Sequence, residues 1–333
     1  MATIDFLSPA YLETIAKEAD SMKKYETPIL NMFFKRQVSA PNGFVKVPKE
    51  VFNYDDILPL IQRGGAIQAS ALNTSREYTT YELKSFGDMK VLSPRDIKDL
   101  VVQLENLTGT TYQAKKVELA NQIVGEFNEK VNATREYMAG SAILGTIKDK
   151  DGNTIETFDI PVANQLGSQT VSDGTVKVYQ LMRMMTKQMR KATKYKGGVG
   201  ILIGEDAFET IQDTAEFQNW ATNVANNLSA EDMAEGIEGF MGNKRYPFIV
   251  ADDFYYSDGT QTQFFDADTI VVAPVDAFAE FYATIETNDG SFSKIKHVDS
   301  WEEKNPDGTA YRLQCSAMPI VTLPNAIVTA TIA

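Results

Sequence analysis

The stretch from Tyr112 to Gly145 constrains this chain more than any other. Apolar residues recur at Val117, Ala120, Val124, Phe127, Val131, Met138 and Ala142, with Thr134 in the gap. Steps of three and four lay one continuous stripe along a single helix face. Lys115, Lys116, Glu118, Glu126, Glu129, Lys130, Arg135 and Glu136 fill the other faces. Thr110 or Thr111 can cap the start by accepting a backbone N–H, and Gly145 is suited to stop the helix in a left-handed conformation. The resulting rod is about 50 Å long, well beyond the usual length for a globular protein. Charges every few residues exclude a membrane span, and the stripe is too short and irregular for a sustained coiled coil. Such a helix requires a sheet or a second layer lying along it.

The 333 residues have room for two or three compact units, and 43% hydrophobic with 23% charged residues is ordinary for a folded soluble protein. The formal net charge of -13 argues against a grip on a nucleic-acid backbone, which needs clustered Lys and Arg. The same charge fits a surface that stays near DNA without sticking to it, and equally fits any soluble acidic protein. A single cysteine, Cys315, excludes an internal disulfide and a cysteine-based metal cluster. Met1–Asp5 lacks the pattern of a signal peptide, and no apolar run approaches membrane length. The expectation is a chain made and kept under cytoplasm-like conditions.

Along the chain, Ser8, Pro9, Tyr11, Leu12, Ile15 and Ala16 predict a short amphipathic helix. The cluster Ile29-Leu30-Asn31-Met32-Phe33-Phe34 lacks local partners, so it is expected to dock on the chain's own body or on a neighbour. Residues 42–93 read as a long β-hairpin. Val45 and Val47 lie near its start, Arg63-Gly64-Gly65 and a small polar tract near its tip, and Tyr78–Phe86 in a strand-like run. Ser93-Pro94 opens a short helix through Leu104. After the long helix, Thr146–Phe158 predicts a small hairpin turning at Lys150-Asp151-Gly152-Asn153. Residues 159–171 read as a linker. A second unit follows, with Ser172 capping a methionine-rich helix (Leu181, Met182, Met184, Met185, Met189). It continues with a buried strand at Gly198–Gly204, a helix capped by Asp206, and helix 216–228 with Phe217, Trp220 and Val224 inward. Strands at Phe248–Ala251 and Thr269–Ala273 flank a hairpin turning at Ser257–Thr260. From Phe281 the chain turns to β again, through Ile285, Ile295, Val298, Tyr311, Leu313 and Cys315 to an apolar terminal strand.

The candidates for chemistry are few. Asp149-Lys150-Asp151-Gly152-Asn153 opens like a calcium loop, but Thr154 stands at the required glycine and Ile160 at the bidentate glutamate. It reads as a plain hairpin turn. Gly198-Val199-Gly200 and Gly204 lie within an apolar strand and do not follow one, so a phosphate would meet no free helix N-terminus. His297 and Asp299 share a strand face, but no nucleophile completes a triad, and His297 reads as a surface or interface residue. Cys315 reads as a small core residue, and Asp252, Asp253, Asp266 and Asp268 as solvated loop charges. Catalytic, cofactor and metal sites are all read as none.

The order of parts, together with Pro28–Phe34, Arg63-Gly64-Gly65 leading to Glu77-Tyr78-Thr79, Glu118-Leu119-Ala120-Asn121-Gln122, and Cys315–Ile320 followed by Leu323-Pro324-Asn325, resembles a known family. That family is the major capsid protein of lambda-type tailed bacteriophages, with the Hong Kong 97-like capsid fold. The resemblance implies an α+β chain with an N-terminal arm (1–50), an extended hairpin loop (51–93) and a peripheral domain with the spine helix (94–164). An axial α/β domain (165–280) and a β return (281–333) complete it. It implies a structural, non-enzymatic subunit that self-assembles through pentamers and hexamers into an icosahedral shell around double-stranded DNA. Partners would be scaffolding, portal and decoration proteins, with no membrane and no sequence-specific DNA binding; assembly would occur in host cytoplasm and the product would be the virion capsid. Contacts between subunits are expected at Phe33, Phe34, Arg63, Gly64, Gly65, Glu77, Tyr78 and Tyr81. Some members crosslink through a hairpin lysine, where Lys84 and Lys90 lie here; a shell without crosslinks is expected. No charged helical extension precedes the arm, so no fused scaffold is expected. The alternatives are an encapsulin-like nanocompartment shell and a soluble enzyme with an unrecognised site.

Overall fold

The computed structural model describes residues 27–48, 78–92, 109–171, 174, 176–193, 197–219, 247–251, 254–257, 260–263, 265–286, 292–294, 296–304 and 307–333. The helices expected at 8–16 and 94–104, the hairpin tip, the Thr110, Thr111 and Ser172 caps, Val117, Ala120, Trp220, Val224, Asp252, Asp253 and Ile295 lie outside the described residues or side chains.

Among the described residues the main helices are α1 (Pro28–Phe33), α2 (Gly109–Ile143), α3 (Val178–Thr193) and α4 (Glu205–Gln212), and residues 215–219, with Phe217 buried, begin the helix expected at 216–228. The spine α2 runs for 35 residues. Its expected stripe is buried at Val124, Phe127, Val131, Met138 and Ala142. It ends where predicted: Gly145 adopts φ +98°, and its N–H reaches Ala142 O at 3.0 Å.

The two halves of the spine stripe meet different layers. Val124, Phe127 and Val131 pack on Val298, Tyr311, Leu313 and Cys315. These belong to an antiparallel sheet of Lys296–Lys304, Asp307–Cys315 and Phe86–Leu92. Met138, Ala139, Ala142 and Ile143 pack instead with Ile29, Leu30, Phe33 and Phe34 of the arm. Beyond the arm lies a five-stranded sheet ordered Gln165–Gln169, Val328–Ile332, Thr269–Pro274, Val199–Gly204, Phe248–Ala251.

That sheet is buried on both faces, which explains its unbroken apolar runs. Ile201, Ile203, Ile270, Val272, Val328 and Ala330 face α3 and α4, joining Leu181, Met185, Met189 and Ile211. Leu202, Val271 and Ala273 face the arm side. α1 is thus a wedge between spine and sheet, and a small sheet continues it: Arg36–Ser39 runs parallel to Ala279–Tyr282, which pairs antiparallel with Ala317–Ile320.

Three readings are corrected. Residues 159–171 are not a linker: Gln165–Gln169 is an edge strand parallel to Val328–Ile332. Asn164, fully interior, ties the preceding turn to the Asn325 and Ile327 carbonyls at 2.8 and 3.1 Å. Asp206 does not cap α4: Gly204 stands at the cap position, and Asp206 sits in the first turn, where its charge favours the helix dipole. The run Tyr78–Phe86 is not one strand. Tyr78–Glu82 pairs with Phe44–Pro48, whereas Phe86–Leu92 leaves for Asp307–Cys315. The polar break at Lys84-Ser85 separates them, and Phe86 then packs against the sheet core under the spine.

Candidate functional site

No catalytic constellation forms among the described residues. His297 is buried, not on a surface, and neither ring nitrogen has a hydrogen-bond partner among the described residues, so the Asp299–His297 pair considered from sequence does not form. Asp299 accepts from Arg312 across the ladder at 3.3 Å. Burial pushes the Cys315 thiol up, the opposite of an activated nucleophile. Asp149 spends its carboxylate on its own turn, accepting from the Asp151 and Asn153 amides at 2.9 and 2.8 Å and from the Asn153 side chain at 2.9 Å. Asn153 thereby holds the Asp149 carboxyl below its ordinary value. Asp266 and Asp268 are exposed, as expected. No group of three or more His, Cys, Asp or Glu among the described residues is arranged to hold a metal ion.

The charged groups that are buried serve architecture. Glu136, wholly interior on the spine, accepts from the Ile29 and Leu30 amides at 2.6 and 3.1 Å. These are orphan donors at the start of α1, so a spine carboxylate caps the arm helix from 106 and 107 residues away. Its neighbour Arg135 forms a fork with buried Glu280, at 2.7 and 2.6 Å, and Gln37 donates to the same carboxylate at 3.1 Å. Arm, spine and the Ala279–Tyr282 strand therefore converge on one polar node. In the sequence, Glu136 and Arg135 stand only among the charges on the other faces of the spine. Their signal was weak: two adjacent charges at the edge of an apolar stripe.

The predicted contact residues divide. Phe33 and Phe34 are not offered to a neighbour: both are buried in the subunit's own core, where the Phe34 and Phe278 rings lie 5.4 Å apart. Tyr81 is likewise interior, 5.3 Å from the Phe158 ring, and burial and nearby Glu156 and Asp159 raise its hydroxyl pKa. Tyr78, opposite Pro48, is 55% exposed, and Phe44, opposite Glu82 at the other end of the same strand pair, is 58% exposed. Arg63, Gly64, Gly65 and Glu77 lie outside the described residues. A trough of about 800 Å³ runs beside the spine, with Phe127, Val131 and Leu313 on its floor and Lys84, Lys130 and Lys148 among its lining. It resembles a packing groove more than a reaction chamber. Lys130 is paired with Asp88 and Lys84 with Glu82. No helix among the described residues is long and apolar enough to cross a membrane.

A family model described as phage major capsid protein E matches residues 12–332. Among solved structures, the chain is similar to the putative capsid protein of a prophage of E. coli CFT073. Their identity is 16%, the match covers 98% of this chain and 99% of that one, and the TM-score is 0.60. It is also similar to a phage-related protein from Bordetella bronchiseptica RB50, at 8% identity, 96% of each chain and a TM-score of 0.56. A search of curated proteins finds no match. The spine helix, the capped arm and the doubly covered sheet, read with a family match that spans nearly the whole chain, lead to one conclusion. The chain belongs to the phage major capsid protein E family: it is a structural, non-enzymatic virion component with the Hong Kong 97-like α+β fold, and its copies associate into a shell.

Proposed function

We propose that the shell is icosahedral, built from pentamers and hexamers, and that it encloses double-stranded DNA without sequence-specific binding. In this reading assembly takes place in the host cytoplasm with scaffolding and portal proteins, and a decoration protein joins the finished shell. Residues of about 165–280 surround the symmetry axes. A formal net charge of -13 supports an enclosing role, since such a subunit repels the phosphate backbone over most of its surface.

The observation that carries the reading is the hairpin base. Phe44–Pro48 and Tyr78–Glu82 pair in register, and exposed Tyr78 stands opposite Pro48, at the end of the pair from which residues 49–77 continue. One side of this pair, Val45, Val47 and Tyr81, is already held in the subunit's own core, and in this reading a neighbouring subunit supplies the support that the part beyond Pro48 and Tyr78 needs. Tyr78, with Arg63, Gly64, Gly65 and Glu77, is the proposed contact set. Deleting residues 66–74 tests it: circular dichroism should report a folded subunit, and sedimentation should report failed assembly. Shells of normal size and stability from that variant would contradict the clamp.

The shell is proposed to lack covalent crosslinks. Lys90 is engaged with Glu126 on the spine and Lys84 with Glu82, which supports lysines in structural use. Boiled shells on a denaturing gel should run at monomer mass; a ladder of multiples would contradict this.

A further inference from the structure

The α/β unit carries its charge unevenly. Helix α3 contains Arg183, Lys187, Arg190 and Lys191 and no acidic residue, in a chain whose net charge is -13. Arg183, Lys187 and Lys191 are all exposed and fall at i, i+4 and i+8, one stripe on the solvent side. Exposed apolar groups accompany them. Tyr179 is 66% and Met184 43% exposed on the same helix. Gln188, one turn past Met184, donates to the Ala163 carbonyl and so brings 82%-exposed Val162 alongside.

The segment from Glu205 to Asn219 is the converse: five acidic residues and no basic one. Asp206, Glu209 and Asp213 are exposed at i, i+3 and i+7, again one stripe. Its rise is about 10 Å, against about 12 Å for the basic stripe. None of these six charges makes an ion pair among the described residues. Both helices lie on one sheet face, α3 over Val328–Ile332 and Thr269–Pro274 and α4 against Val199–Gly204, Phe248–Ala251 and Val328–Ile332, and the Val178 amide at the start of α3 donates to Glu216 at 3.0 Å.

Two complementary stripes that do not pair with each other within one body can pair with those of a second copy. We infer that the Arg183–Lys187–Lys191 stripe of one copy docks on the Asp206–Glu209–Asp213 stripe of the next. The contact is head-to-tail, and repeated around an axis it closes into a ring. It rests on the shell reading and adds which surfaces meet within a capsomer. Complementary charge sets the register and discourages the reversed pairing, in which like stripes would face each other. Tyr179, Met184 and Val162 supply apolar area at the rim of the contact.

Charge reversal tests this on the full chain, with sedimentation velocity and negative-stain micrographs as readouts and circular dichroism as the folding control. The basic-stripe variant (Arg183→Glu, Lys187→Glu, Lys191→Glu) and the acidic-stripe variant (Asp206→Lys, Glu209→Lys, Asp213→Lys) should each lower shell yield at least tenfold. The chain carrying all six changes should recover shells, because complementarity is restored with the signs exchanged. Should a triple variant unfold, the pair Lys187→Glu and Glu209→Lys, alone and together, provides the same comparison. Normal shell yield from either single-stripe variant overturns the contact; if those shells also retain less DNA, the basic stripe faces nucleic acid instead. Failure of the six-fold variant to recover shells, while folded, also overturns it. Absence of shells from the unaltered protein would instead overturn the shell reading itself, and this contact with it.

Discussion

Phe33 shows how the architecture depends on single side chains. It is fully buried between spine and sheet, and it reaches the sheet only because residue 200 is glycine. A Cβ there would lie 2.3 Å from Met32 Sδ and 2.8 Å from Phe33 Cε1. Gly200→Ala should therefore destabilise by about 1–3 kcal/mol through overpacking, and Phe33→Ala by about 3–5 kcal/mol through the cavity it leaves. Denaturant unfolding of the dissociated subunit measures both. Arg135→Ala strands the buried Glu280 carboxylate and should cost about 3–5 kcal/mol, whereas the exposed ion pair Lys84–Glu82 should be worth under about 1 kcal/mol. Alkali should weaken the fold as well. Burial raises the Tyr81, Tyr311 and Cys315 groups, so each favours the folded state only while protonated. Their contribution is complete below the ordinary values of 9.0 for cysteine and 10.0 for tyrosine, and is lost as pH rises through the folded values. A melting temperature that stays flat above pH 10 would contradict this.

At the scale of elements, local chemistry explains what was legible. The small hairpin Thr146–Lys148 and Thr154–Thr157 was readable because its turn is written in adjacent residues, with Gly152 at φ +81° and Asp149 bonding across it. Asp149→Ala should speed amide exchange at Asp151 and Asn153. Because the Asp149 carboxyl is held below its ordinary value, its help is present at neutral pH and is lost as pH falls through the folded value. Asp151→Ala should leave the melting temperature in calcium unchanged; a calcium-dependent rise that this variant abolishes would reveal a bound ion. The edge strand Gln165–Gln169 was not readable. Gln165-Leu166-Gly167-Ser168-Gln169 has no strong β pattern, and Gly167 at φ +66° accompanies a register shift against Val328–Ile332. Its place is set by backbone pairing with a strand far along the chain. The arm was half readable. The sequence pattern of Ile29–Phe34 demanded a docking surface, but the choice between self and neighbour depended on Glu136 and Gly200, which no local pattern links to it.

At the scale of the whole molecule, the two cores are joined through one sheet buried on both faces and through the arm wedged beneath it. That arrangement fixes the peripheral layers to the α/β unit without help from another chain. In the proposed reading a neighbour meets the exposed edges: Tyr78 at the hairpin and the charged stripes of the α/β unit. The most direct measurement is electron microscopy of the purified protein, paired with sedimentation velocity, across a range of protein and salt concentrations. The account predicts closed shells, or capsomers that convert to shells as concentration rises. A single sharp species of monomer mass under every condition would contradict it.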